Sequence, residues 1–148
     1  MAGMPVEVLL LGYPVRLGAE QQEHLYAVVR EFQLMTLSDR HQRSHVPSRL
    51  LAVMEQITWA HARTSEHRDA ALEEGILTVD VRFPLSAVNL ALVQEYEQVL
   101  AEVDAFCHGD DLLVLPRPPQ IIALQRWVTS EFVRQAGGWE PSAWTGPV

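Results

Sequence analysis

Two groups of side chains have the types and spacing that reactive chemistry uses. Cys107 and His108 stand next to Asp110 and Asp111, which puts a thiol, a base and two carboxylates in one short stretch. A nucleophile and its base normally come from separate elements that converge in space. Cys107 also falls at the apolar end of a helical pattern, so a packed, inert thiol is the preferred reading. Asp110 and Asp111 are turn formers before they are paired carboxylates. His41 and His45 have the i, i+4 spacing of a helical metal pair, but Pro47 lies too close and no third ligand follows in register. His61 and His67 do not share a helical face, and His61 continues an apolar stripe as a hydrogen-bonded core histidine would. His24, beside Glu20 and Glu23, reads as part of a solvated, pH-sensitive face rather than as a general base. No catalytic residue, metal ligand or cofactor is assigned.

Composition narrows the chemistry further. The chain has 11 basic residues, every one arginine, against 19 Asp plus Glu. Without lysine there is no side-chain amine for a Schiff base and no phosphate-loop lysine, which excludes pyridoxal chemistry and nucleotide hydrolysis of the G-x-x-x-x-G-K-[ST] type. No G-x-S-x-G, H-E-x-x-H, G-x-G-x-x-G or C-x-x-C is present. A net charge of −8 argues against nucleic acid and anionic membrane as partners. Arg40, Arg43 and Arg49 with His41 and His45 make the nearest approach to a basic cluster, and read as a solvated loop.

The length of 148 residues, 48% hydrophobic and 20% charged, fits a single globular domain spanning 1–148. One cysteine excludes a disulfide scaffold. The start lacks a signal-peptide pattern and no apolar run approaches the ~18 residues of a membrane span, so a cytoplasmic protein is expected.

The elements that would position these groups follow from periodicity. Val6 to Leu11 reads as a buried strand, and after the Gly12–Pro14 turn Val15-Arg16-Leu17 reads as a second short strand. Leu25, Val28, Val29, Phe32 and Met35 make an amphipathic stripe between Ala19 and Leu37. Residues 38–46 are polar and aperiodic, a mobile loop, and Pro47 opens a second helix carrying Leu50, Leu51, Met54, Ile57 and His61. A further helical turn or two runs to Gly75, and Ile76 to Phe83 alternates as a strand with one buried face. Ser86 caps a long helix with Val88, Leu92, Val93, Tyr96, Val99, Leu100, Val103 and Phe106 on its stripe. Leu112 to Leu115 reads as another strand, and Pro116 to Pro119 opens a last helix with Ile121, Leu124, Val128, Phe132 and Gln135 inward, ended by Gly137-Gly138. Residues 139–148 form an aromatic tail. The expected fold is α+β or open α/β, a small sheet of three to four strands covered by about four helices.

The last helix and tail hold the most specific surface chemistry. Arg117, Arg126, Trp127, Glu131, Arg134, Trp139 and Trp144 combine residue types that dominate protein–protein hot spots, with guanidinium groups able to stack on indoles. An alternative keeps Trp127 in the core, with the tail tryptophans sealing the sheet edge. Leu112-Leu113-Val114-Leu115-Pro116, Pro118-Pro119, Arg126-Trp127, Glu131 to Gln135 and Trp144, together with Leu10 to Val15, Arg30-Glu31-Phe32, Val46 to Leu51 and Val103 to Cys107, make the chain resemble a family of uncharacterised actinobacterial proteins of about this length. That family is similar to companions of anti-sigma-factor kinases, STAS-domain antagonists and serine phosphatases in stress-response partner switching. The resemblance implies such a protein partner and a regulatory role. The arginine-only basic set also fits a GC-rich genome.

The expectation drawn from these residues is a non-enzymatic regulatory protein acting by protein–protein interaction through its last helix and tail. Two alternatives stand beside it. One is a small-ligand sensor or unrecognised enzyme with a pocket between helices and sheet, touched by His61, Tyr96 or Trp127. The other is homodimerisation through the Arg/Trp face.

Overall fold

Apolar residues at alternate positions make β1 (Glu7–Pro14) a strand, with Val8 and Leu10 buried. The computed structural model of the chain describes residues 7–37, 49, 51–53, 66–107 and 115–148. β1 pairs antiparallel with β2 (Thr78–Pro84), in the register Leu9 opposite Arg82 and Leu10 opposite Val81, then Tyr13 opposite Val79. Leu11 and Gly12 therefore both face Asp80, a bulge with Gly12 at φ +69°, where a Cβ would be strained. The Asp80 carboxylate pins it by accepting from the Gly12 amide at 2.9 Å. One inserted residue reverses which side of the strand is inward, so Tyr13, not Gly12, follows Leu10 into the core.

Val15-Arg16-Leu17 is not the second strand expected from its alternation. It is the first turn of α1 (Val15–Leu37). The Val15 amide still donates to the Leu77 carbonyl at 3.0 Å, the last bond made in the manner of the sheet. From there the inward positions run Val15, Gly18, Gln21 and Gln22, Leu25, Val28 and Phe32, a continuous 3–4 spacing in which Gly18 and the two glutamines stand where apolar residues would be expected.

Residues 49 and 51–53 are helical, and residues 66–73 form α2. α2 ends in a Schellman turn. The Gly75 amide donates to the Leu72 carbonyl and the Ile76 amide to the Ala71 carbonyl, with Gly75 at φ +73°. α3 (Ala87–Cys107) starts at Ser86, whose Oγ accepts from the Asn89 amide at 3.1 Å. α4 (Pro119–Ala136) begins with proline in its first turn, where a missing amide proton costs nothing.

Helices and an antiparallel pair make this an α+β chain, but among the described residues the sheet has two strands rather than three to four. Residues 112–114 of the expected further strand lie outside the described residues, and Leu115 has no regular structure. Within the described residues the outer edge of β1 is closed without a strand. The Gln135 side chain bonds both the amide and the carbonyl of Leu9, and the Trp144 amide donates to the Leu11 carbonyl at 3.0 Å. Unpaired edge groups are thereby satisfied by a helix side chain and the tail. Two apolar cores result. One joins α1 and α3 through Leu25, Val28, Phe32, Tyr96, Val99 and Val103. The other packs α4 on the sheet through Val8, Leu10, Tyr13, Val81, Leu124 and Phe132.

Candidate functional site

The seam between the two cores contains a cavity of about 120 Å³. Its wall is mostly hydrocarbon, from Leu10 on β1, Leu25 on α1, Phe83 on β2, Val93 on α3, and Val128 and Phe132 on α4. Polar groups enter from specific places. The bulge aims Tyr13 inward, α1 contributes Gly18 and Gln21, α2 contributes Arg68, and α4 contributes Gln125. Every element that the sheet register and the Gly75 turn set in place thus delivers a side chain to one volume.

Arg68 is buried, at 6% exposure. Its Nη1 lies 3.4 Å from the Gly18 carbonyl and its Nε is 3.6 Å from the largely exposed Asp69 carboxylate. Gly18 permits this arrangement. A Cβ there would fall 2.6 Å from Cε1 and 2.8 Å from Cζ of Tyr13, closer than real contacts allow. Burial pushes the Tyr13 hydroxyl above its ordinary pKa, with the Arg68 charge opposing, so at neutral pH the hydroxyl keeps its proton. Tyr96 is likewise raised by burial, opposed by Arg117 and reinforced by Tyr13. Gln21 donates to the Gln125 carbonyl oxygen at 3.0 Å, and Gln125 donates to Thr129 Oγ1 at 3.3 Å, which ties α1 to α4 beside the cavity.

Tyr96, expected at a pocket, lines this one. His61 lies outside the described residues, as do His41, His45, His108, Asp110, Asp111 and all of residues 38–46, where a mobile loop was expected. Trp127 sits outside the cavity lining, packed edge-on against Trp144 at 5.5 Å between ring centres. His24 has its Nε2 2.6 Å from the Leu115 carbonyl and is thereby a donor to backbone. Among the described residues no three of His, Cys, Asp and Glu group as metal ligands would.

The Arg/Trp residues of the C-terminal segment are largely engaged with their own chain. Arg117 is buried against Asp104, with Nε at 2.9 Å and Nη2 at 2.8 Å from the carboxylate, while the Arg117 amide donates to Oδ1 at 3.0 Å. Glu131 is 2% exposed. It accepts from Arg134, from Gln135 at 3.2 Å and from the Ser142 amide at 2.6 Å, so this carboxylate folds the tail back on α4. Trp127 Nε1 donates to the Ser142 carbonyl at 3.0 Å, and Arg134 lies over the Trp139 ring. Arg126 and Trp139 remain exposed.

Arg68, Tyr13, Gly18, Gln21 and Gln125 were not singled out by sequence reasoning. One signal was available, a glycine and two glutamines interrupting the apolar stripe of α1, since an isolated glycine in a helical pattern marks a packing or functional constraint. No family model matches the chain, and no curated protein or solved structure is similar to it.

Proposed function

We propose that the protein binds a small molecule in the cavity between its helices and sheet and acts as a ligand-responsive regulator. The observation that carries this reading is the position of Tyr13, Arg68, Gln21, Gln22, Tyr96 and Gln125 around a mostly apolar volume of about 120 Å³. Small-molecule sites have this composition, hydrocarbon walls for affinity and a few convergent polar groups for orientation. A fold needing only stability would fill such a space, because an unfilled cavity forfeits packing and buried polar groups cost free energy. The absence of any complete catalytic signature weighs toward binding rather than turnover.

Small neutral probes test the reading. Benzyl alcohol or hexan-1-ol should raise the thermal midpoint of the purified chain and shift the methyl resonances of Leu10, Leu25 and Val93. Val93→Trp, which fills the space, should abolish both effects while the protein stays folded. Unperturbed methyl signals in the parent at millimolar probe would sink the reading.

A second reading has its own support. On α4 the outward positions Ala123, Arg126, Ser130 and Val133 form one face, and Trp139 beyond it is 69% exposed. Guanidinium and indole groups left in solvent favour docking of a protein partner, of the partner-switching kind that the sequence resemblance implies, or of a second copy. Arg126→Glu with Trp139→Ala is the appropriate test. Arg134→Glu is not, because Arg134 pairs with buried Glu131 and its reversal would disturb the fold. Unchanged recovery of a crosslinked partner would remove that face from consideration.

A further inference from the structure

The two edges of the sheet are finished differently. On β1 the outward amide and carbonyl of Leu9 are both taken by Gln135, and the Leu11 carbonyl by the Trp144 amide. Because Leu9 stands opposite Arg82 and turns its backbone groups away from β2, Arg82 turns its own away from β1. Asp80, two residues earlier on the same strand, points its backbone the same way. Among the described residues none bonds the amide or carbonyl of either. β2 thus presents, along a strand of 7 residues, the open donors and acceptors that proteins ordinarily blunt.

We propose that this edge is a self-association surface, at which β2 pairs antiparallel with β2 of a second copy about a two-fold axis through Val81. The run Thr78-Val79-Asp80-Val81-Arg82-Phe83-Pro84 is complementary to itself in that register alone. Asp80 of each copy stands opposite Arg82 of the other, and because these are the residues with outward groups, each pair closes two backbone hydrogen bonds. Their exposed side chains meet as opposite charges across the strands. Sliding by two residues one way sets Asp80 against Asp80. Sliding the other way sets Arg82 against Arg82 and Asp80 against Pro84, which has no amide to give. A slip of one residue turns the apolar side out. The alternation of charge, more than the open edge itself, selects a second copy over a foreign strand.

Existing contacts leave room for this pairing. Asp80 accepts from the Gly12 amide and Arg82 lies 3.4 Å from Glu7 through Nη1, while a carboxylate and a guanidinium each keep further lone pairs or N–H groups. On the inner side Val79 of one copy comes opposite Phe83 of the other, and both are only partly buried in the single chain. Beyond the strand the same axis carries exposed Leu77 of one copy to the start of α3 of the other, where Val88 is 68% exposed. Apolar residues therefore continue the contact past the hydrogen-bonded stretch, toward the area that specific dimers bury. The two-stranded sheets of two copies become one continuous sheet in the order β1-β2-β2-β1. The proposal stands whether or not the cavity holds a ligand.

The full chain carries the test. Sedimentation equilibrium from micromolar to millimolar concentration should show a monomer–dimer equilibrium, and hydrogen exchange of the Asp80 and Arg82 amides should slow as the dimer forms. Arg82→Glu and Asp80→Arg each set like charges opposite one another and should weaken dimerisation about tenfold or more, whereas an equimolar mixture of the two variants restores opposite charges in both pairs and should associate as a heterodimer. Asp80→Arg also gives up the Gly12 bond. Should it fail to fold, Arg82→Pro takes its place, because it removes an amide that no described residue bonds and should leave a folded monomer. A parent that stays monomeric at millimolar concentration overturns the proposal, and slow exchange at Asp80 and Arg82 in that monomer would place a segment of the same chain on the edge. A dimer of unchanged strength in Arg82→Glu overturns it as well and moves the contact to another face, such as that of Arg126 and Trp139.

Discussion

Gln135 holds Leu9 by both of its backbone groups: Nε2 donates to the Leu9 carbonyl and Oε1 accepts from the Leu9 amide, each at 2.9 Å. A side-chain amide on α4 thus does for β1 what a neighbouring strand would do. The same Nε2 reaches Glu131 Oε1 at 3.2 Å, and Glu131 in turn receives the Ser142 amide, so helix, strand edge and tail share one buried network.

Breaking that hold has a graded outcome. Gln135→Leu removes both bonds and leaves the Leu9 groups without their partners, a loss of about 2–4 kcal/mol. Gln135→Glu retains an acceptor for the Leu9 amide but sets a second carboxylate against the buried Glu131 and against a carbonyl oxygen, so it should destabilise more than leucine does. Urea midpoints at unchanged slope report the order. A glutamate variant more stable than the leucine variant contradicts the network described.

Gly18→Ala tests how closely Tyr13 is seated. The added methyl would fall 2.6 Å from a ring carbon, and the ring is buried in the core that packs α4 on the sheet. Overpacking of this kind costs about 1–3 kcal/mol. Tyr13→Phe should give little relief, because ring carbons remain in the way, whereas Tyr13→Val should absorb most of the cost. Measured as a double-mutant cycle, the valine pair must be non-additive.

The long periodic elements were legible in the sequence because burial of a stripe or an alternating face needs only apolar residues at fixed spacing. Ser86 with α3 and Pro119 to Gly137 stand where periodicity and capping put them, and the strand expected from Ile76 to Phe83 runs from Thr78 to Pro84. The start of α1 was misread because Val15 and Leu17 fit both periods, and because its next inward positions are Gly18, Gln21 and Gln22. Those residues are apolar gaps for the same reason that they line the cavity. A binding volume removes the signal by which a helix is recognised. The closing of β1 by side chain and tail among the described residues has a similar origin: a hydrogen-bonded edge needs donors and acceptors, not a strand, and no pattern in residues 135–144 distinguishes an edge cap from a surface. Tyr96 could be placed at a pocket from its stripe position, whereas Arg68 reaches the pocket only through the turn at Gly75 and the bulge that turns Tyr13 inward.

Asp104 and Arg117 form a buried pair held by two hydrogen bonds and an ion-pair contact of 2.8 Å from Nη2, although Arg117 Nη1 has no partner among the described residues. Removing one charge strands the other. Asp104→Ala should therefore cost about 3–5 kcal/mol, while Asp104→Ala combined with Arg117→Met should recover most of it. Arg117→Lys cannot rebuild the two-pronged contact and should fall between parent and alanine variant. Equal losses in the single and double variants would show that the pair acts through its backbone bond alone.

Alkaline pH should unfold this protein through Tyr13 and Tyr96. Burial holds both hydroxyls above the ordinary tyrosine value, whereas in the unfolded chain they ionise at about pH 10. For groups whose folded pKa is raised, the contribution to stability is complete below the unfolded pKa and declines as pH climbs past it, because ionisation then favours the unfolded chain. Urea midpoints should be flat with respect to these residues through neutral pH and fall above about pH 10. Tyr96→Phe keeps the ring in the α1–α3 core but has no proton to lose. It should lower stability by about 1 kcal/mol at neutral pH and reduce the alkaline slope, with Tyr13→Phe reducing it further. Profiles for the parent and both phenylalanine variants that run parallel above pH 10 would mean that these hydroxyls reach solvent in the folded chain.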